Sequence, residues 1–159
     1  MKTRGEKILG YNRKKLLTYY DTGIASPAIS PNGDSQMDKK IVFVAFAMED
    51  EKCRDYLKMQ SLQNRSPFEF IDMSVKEPYP QSVWRDMVRT RIRRSHGVIA
   101  LISKNSLKSS GQQWEIQCAL EERKPIIGIS AYPEDRTTLN CITTYSWNWP
   151  NIAYFINSL

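Results

Sequence analysis

The chain predicts an α/β fold: a flavodoxin-like parallel sheet of four to five strands with helices on both faces, preceded by an N-terminal extension. Three observations predict it. Short runs that are almost wholly apolar and β-branched, K-I-V-F-V-A-F at 40–46 and G-V-I-A-L-I-S at 97–103, suit central strands buried on both faces. Segments with apolar residues at three- and four-residue spacing separate those runs, as crossover helices do. Strand and helix alternate from residue 40 onward, the pattern of right-handed parallel connections.

The elements follow in order. Residues 40–46 form the first strand, and a helix over 50–62 carries Cys53, Tyr56, Leu57 and Gln60 at helical spacing. Residues 68–73 read as the second strand and 74–80 as a polar loop, in which Pro78 and Pro80 bar regular structure. Ser82 is the expected N-cap of a helix over 83–95, with Trp84, Val88 and Ile92 on its buried face. On the same helix Arg85, Arg89 and Arg93 make a second stripe, joined by Arg91 and Arg94. That stripe is either a phosphate or partner surface or a solvated helix face, and the second is the commoner outcome. The third strand is 97–103. Ser109 or Ser110 opens the next helix by accepting free N–H groups of its first turn, and Ile116, Ala119, Leu120 and Arg123 share the face toward the sheet. The fourth strand is 125–130. A short fifth is expected around 141–144, then a closing helix over 151–159 with Ile152, Phe155 and Ile156 inward, packed on the sheet through Trp147, Trp149 and Pro150.

Residues 1–38 stand apart as a basic extension and linker, and 39–159 as the domain. Lys2, Arg4, Lys7, Arg13, Lys14 and Lys15 precede a Pro-, Gly- and Ser-rich stretch. Before it, Ile8, Leu9, Leu16, Leu17, Tyr19 and Tyr20 fit a short amphipathic helix, either a docking arm or a helix packed loosely on its own domain. A content of 41% apolar and 11% aromatic residues is that of a globular chain. The net charge of +6 is compatible with an anionic ligand, but no basic run interleaved with aromatics marks a nucleic-acid groove. Cys53, Cys118 and Cys141 are odd in number and far apart, which implies reduced thiols in a cytoplasmic protein and neither a disulfide framework nor a zinc site. No secretory h-region and no membrane-length apolar run is present.

A strand order of 2-1-3-4, with a fifth at the end, opens a crevice between the carboxyl ends of the first and third strands. The chain delivers residues 45–50, 72–74 and 103–115 there. No glycine-rich phosphate loop follows the first strand, and the third strand ends in Ile102-Ser103 where a phospho-receiver domain would carry Asp. His96 is the only histidine and falls at the far end of the sheet, so it reads as structural and a Ser-His or Cys-His mechanism lacks its base. Glu115 lies off the packed face of its helix, near the helix start and beside the carboxyl end of the third strand, a single carboxyl group at that place. It is either an active-site group or a first-turn acid favouring the helix dipole, and spacing alone favours the second.

In order and spacing, F-V-A-F-x-x-E-D, F-I-D-x-S, R-x-R-R-S-x-G-V-I-A-L-I-S and S-S-G-x-x-W-E-I-x-x-A-L-E-x-x-K-P-I-I-G resemble the TIR-like domains of bacteria, in particular the branch of the Thoeris antiphage-defence systems. The resemblance covers residues 40–128, and its most specific part is W-E-I-x-x-A-L followed by K-P-I-I-G. It implies a flavodoxin-like TIR-like domain that cleaves the N-glycosidic bond of NAD, releases nicotinamide and makes a cyclic ADP-ribose-type or ADP-ribose-conjugate signal. It implies no cofactor, NAD being the substrate, and no metal. The implied partners are an effector protein addressed through the product, a phage-derived activator and further copies of the chain. The family's catalytic glutamate follows a tryptophan early in the helix after the third strand, a place that Glu115 after Trp114 matches. Phe46 and Trp114 are implied as ring contacts, and Ser103, Asp72 and Ser74 as further ligand contacts. For Trp114, core packing is an equal alternative. The chain departs from the family in having Ala45 where Ser is frequent and His96 where Asp is frequent, the latter expected to be a surface change.

A carboxylate suits this chemistry. Nicotinamide leaves from a pyridinium, so little acid catalysis is needed, and the positive charge that develops on the ribose needs a fixed anion. The helix N-terminus is expected to keep Glu115 ionised. Two other readings remain open: a nucleoside deoxyribosyltransferase-like enzyme, which also sets a glutamate against a glycosidic bond, and a non-catalytic TIR adaptor that binds through its arginine face.

Overall fold

A computed structural model describes residues 39–63, 66–71 and 80–159. Five parallel strands form one sheet in the order β2-β1-β3-β4-β5: β1 Lys40–Ala45, β2 Phe68–Ile71, β3 Gly97–Ile102, β4 Ile126–Ser130 and β5 Thr144–Tyr145. The expected topology, fifth strand included, is what the structure has; β5 begins three residues later than expected. The helices are α1 Glu51–Ser61, α2 Gln81–Arg94, α3 Ser110–Glu121 and α4 Trp149–Asn157. The expected N-terminal helix lies outside the described residues.

Alternation along the strands divides the core in two. Val42 and Val44 of β1, with Ile99 and Leu101 of β3, pack under α1 and α4 through Leu57, Ile152 and Ile156. Phe43 and Ala45, with Val98, Ala100 and Ile102, pack under α2 and α3 through Val88, Ile92, Ile116 and Ala119. Both faces of the central strands are therefore buried, which is why their sequences do not alternate apolar with polar.

The helix boundaries correct several expectations. Ser82 does not cap α2, which begins at Gln81 after an extended Pro80 that makes no side-chain cap. Proline suits a helix entry because its missing N–H would find no partner there in any case. Trp149 and Pro150 belong to the first turn of α4, whose N-cap is Asn148, accepting the N–H of Asn151 at 2.8 Å. Arg123 is not on the inner face of α3. It sits beyond the helix end with φ 53°, its N–H donating to Leu120 O at 3.0 Å while that of Lys124 donates to Ala119 O at 2.9 Å. This is a Schellman ending with arginine in the left-handed position that glycine usually fills. Arg123 is exposed, so Arg123→Gly removes a backbone penalty and little else. The expected result is a stabilisation of about 0.5–1 kcal/mol, read as a higher denaturation midpoint in urea.

The arginine stripe of α2 is not simply solvated. Arg89 bonds Glu122 at 2.7 Å and Glu121 at 3.0 Å, and Arg93 bonds Glu122 at 2.8 Å, so the stripe clamps α2 to α3. Hydrogen bonds from Arg93 and Arg89 hold the Glu122 carboxyl down at about 2. His96 is exposed yet structural: its backbone N–H donates to Ile41 O at 2.8 Å, and its Nδ1 accepts the Ile41 N–H at 2.9 Å. That bond ties the first turn of β1 to the start of β3. An Asp side chain carries an acceptor the same two bonds beyond Cβ, so the exchange keeps a bond and is more than a surface change. His96→Asp is expected to hold stability within about 0.5 kcal/mol of the parent, whereas His96→Ala loses about 1 kcal/mol, both measured by chemical denaturation.

Candidate functional site

The carboxyl ends of β1 and β3 run side by side, with Ala45 paired to Ala100. The helix that follows β3 folds over this end. Ser109 caps it, its side chain accepting the Gln112 N–H at 3.3 Å. Gln112, Ile116 and Ala119 fall on the inward face at helical spacing, and all three are buried. Gln112 does not insert as an apolar residue would. Its Nε2 donates to Leu101 O at 2.6 Å and to Ala45 O at 3.2 Å, bridging the two strands where their ladder ends. Its Oε1 is buried without a partner.

Glu115 lies one turn further along α3, on the flank between Gln112 and Gly111. It is half-buried, and among the described residues no hydrogen bond or ion pair holds its carboxyl. Burial alone pushes that carboxyl up to about 8 from an ordinary 4.5. This reverses the expectation that the helix dipole keeps it ionised. Glu115 is the sixth residue of α3 rather than a first-turn acid, and the dipole's influence fades beyond the first turn.

Trp114 turns the other way, onto α2. Its ring meets Trp84 at 5.3 Å between centroids, tilted by 52°, and the guanidinium groups of Arg85 and Arg89 lie 5.5 and 5.8 Å from its centroid. Phe46, just past the end of β1, is half-buried with the Arg54 guanidinium 5.0 Å above its ring. Ser103 is fully buried, and its hydroxyl is engaged within the fold. It donates to Asp50 Oδ2 at 2.6 Å and accepts the Asn105 N–H at 3.0 Å, capping the short turn Lys104–Leu107. Asp72 and Ser74 lie outside the described residues.

Asp50 is the residue that sequence reasoning passed over. It precedes α1 at the N-cap position, yet its carboxyl does not cap that helix. It is diverted to the crevice, where Oδ1 accepts from Asn105 Nδ2 at 2.8 Å and from the Tyr132 hydroxyl at 3.0 Å, besides the bond from Ser103. Asp50 thus ties the ends of β1, β3 and β4 together, fully buried. Around it, burial pushes the Cys53 thiol up to about 11 and raises the Tyr132 phenol, so both stay protonated donors at neutral pH. Gln112 was passed over as well, although it stands four residues before Ile116 at the spacing of the buried face; Asp50 had no such mark.

An open groove of about 380 Å³ runs along the opposite flank of α3, lined by Gln113, Ile116, Gln117, Leu139, Asn140 and Cys141. It does not include Glu115. Among the described residues no cluster of three or more His, Cys, Asp or Glu side chains is arranged to hold a metal, and no helix is long and apolar enough to cross a membrane.

Residues 43–136, more than half of the chain, match the family model described as "Thoeris protein ThsB, TIR-like domain". The chain belongs to this family. The match runs from the middle of β1 through β4 and takes in every crevice residue named above; residues 1–42 and the segment from 137 onward fall outside it. As a ThsB-type TIR-like domain, the chain falls within antiphage defence and carries the α/β architecture that its sequence predicted. No curated protein matches it. Among solved structures it is similar to the Clostridium botulinum CMP N-glycosidase BcmB, at 18% identity and a TM-score of 0.46, over 75% of this chain and 96% of that one.

Proposed function

We propose that this Thoeris TIR-like protein cleaves the N-glycosidic bond of NAD, with Glu115 as the catalytic carboxylate, and passes the ADP-ribosyl group into a cyclic or conjugated signal for a separate effector. The observation that carries the reading is a half-buried carboxyl, without a partner among the described residues, on the helix that folds over the adjoining carboxyl ends of β1 and β3 in a Thoeris TIR-like domain. A carboxyl that burial has pushed up to about 8 is protonated in the empty site at neutral pH. A bound nicotinamide ring brings a positive charge that opposes this shift, so the carboxyl ionises as the substrate arrives. The C1′–N bond then breaks with its electron pair moving to the ring nitrogen, which leaves as neutral nicotinamide. Positive charge spreads over C1′ and the ring oxygen of the ribose, where the carboxylate opposes it. Capture by a hydroxyl or ring nitrogen of the same or a second molecule gives the cyclic or conjugated product.

Phe46 supplies an aromatic ring near the end of β1 with Arg54 over one face, while the Trp114 ring meets Trp84 and two arginines. We assign Phe46 to ligand contact and Trp114 to holding α3 on α2. The Glu121 and Glu122 carboxylates occupy much of the arginine face, which weakens the adaptor reading. The test is release of nicotinamide from NAD, and of free base from deoxynucleosides, by the chain in lysates of phage-challenged cells. Nicotinamide from NAD alone is the expected result. Free base alone would transfer the site to the deoxyribosyltransferase class.

A further inference from the structure

Gln112 presents a polar atom that the fold does not use. The side chain is 1% exposed, and both donors of its amide face strand carbonyls, Ala45 O and Leu101 O. That fixes the orientation of the amide, because the reverse would set Oε1 against two acceptors. Oε1 is left buried near the adjoining ends of β1 and β3 with no donor, a costly state for a carbonyl oxygen. The position is not incidental. Gln112 and Glu115 are three residues apart on α3, so their Cβ atoms lie about 5–6 Å from each other. Gln112 is the more deeply buried of the two and lies between the two strand ends.

We propose that Gln112 Oε1 accepts a hydrogen bond from the carboxamide NH₂ of the nicotinamide ring, and so selects an amide-bearing pyridinium at Glu115. The inference rests on the NAD reading above and names the subsite within it. With the scissile bond beside Glu115, one end of the dinucleotide must enter toward Gln112. The diphosphate end is excluded, since two negative charges would meet the apolar residues Ala45 and Leu101 with no cation bonded to the Gln112 amide. The pyridinium end is flat, and its polar substituent carries the N–H donors that Oε1 lacks. The ribose hydroxyls belong to the carbon skeleton that Glu115 itself faces.

The experiment titrates the full chain with three dinucleotides that differ only at this substituent. NAD and thionicotinamide adenine dinucleotide keep the NH₂, whereas 3-acetylpyridine adenine dinucleotide replaces it with a methyl group. Titrations use the Glu115→Gln chain, which does not turn the ligands over, and are repeated on the wild type. NAD and the thioamide are expected to bind within about threefold of each other, and the acetylpyridine analogue about tenfold more weakly. In Gln112→Met the preference for NAD over the acetylpyridine analogue falls to near one, a ratio taken within one protein and so unaffected by lost stability. Gln112→Glu, whose neutral carboxyl can donate its one O–H to Leu101 O and still keep an acceptor oxygen in the place of Oε1, retains the preference and covers the case in which the Met variant does not fold. Equal binding of all three ligands, or a preference that survives in Gln112→Met, overturns the assignment of Gln112 and leaves the NAD reading standing. Binding of none of them by either chain overturns the NAD reading and this inference with it.

Discussion

Glu115→Gln is expected to lower nicotinamide release by about a thousandfold or more while making the protein more stable at pH 8 to 9. The two effects share a cause. Burial raises the folded-state pKa of Glu115 to about 8 from an ordinary 4.5, so the folded protein holds a proton that the unfolded chain has released. Below 4.5 both states are protonated and no penalty exists. As the pH rises from 4.5 to 8 the unfolded state binds fewer protons than the folded one, and stability falls. Above the folded value the penalty is complete, on the order of a few kcal/mol for a half-buried group. Glutamine carries no such charge. Its variant is therefore expected to match the parent near pH 4.5 and exceed it above pH 8, with thermal unfolding followed by circular dichroism across that range. A site that sets a bare carboxyl in partial burial is less stable than it needs to be, the usual trade of stability against activity. A Glu115→Gln protein that melts below the parent at pH 9 would place a structural partner on this side chain.

Asp50→Ala is the substitution expected to damage the fold most. It removes the carboxylate acceptor of three donors: the hydroxyl of Ser103, the Nδ2 of Asn105 and the hydroxyl of Tyr132. Ser103 is fully buried and the other two are half-buried, so water replaces the lost acceptor incompletely. The expected loss is about 3 kcal/mol or more, from unsatisfied buried donors and the space left behind. Asp50→Asn keeps one oxygen for Asn105 and Tyr132 and turns its NH₂ toward Ser103 Oγ, which can accept. Its loss should be no more than about 1–2 kcal/mol. Urea denaturation of both variants measures this, and equal losses would show that something other than these hydrogen bonds is at stake. Because Asp50 ties together the ends of β1, β3 and β4, Asp50→Asn should also blur the crevice, seen as weaker NAD binding at unchanged secondary structure.

What was legible in the sequence was whatever depends on neighbours a few residues away. The unbroken apolar runs of β1 and β3 marked central strands, Ser109 or Ser110 marked the start of α3, and together they put the carboxyl ends of β1 and β3 side by side, as the structure has them. The place of Glu115 along the chain was legible too, but its electrostatic state was not. Helix position suggested an ionised acid, and the burial that decides otherwise comes from tertiary packing. Periodicity names a face without naming what covers it. It therefore missed that Arg89 and Arg93 meet Glu121 and Glu122, and that Asp50 turns from its own helix to partners 53, 55 and 82 residues away. Gln112 shows the same limit in reverse. Its spacing fits the buried face set by Ile116 and Ala119, yet an amide does not suggest burial, and only the two strand carbonyls explain why one stands there.

The central claim is that one carboxylate, ionised only at a cost, carries the cleavage. Initial rates of nicotinamide release from NAD, measured as kcat/KM from pH 5.5 to 9.5 on active preparations, test it most directly, since kcat/KM reports groups of the free enzyme. The account predicts a rate that climbs about tenfold per pH unit and levels off near 8, with no such climb in Glu115→Gln. A profile flat across this range, or a Glu115→Gln protein that follows the parent curve at comparable rates, would contradict it.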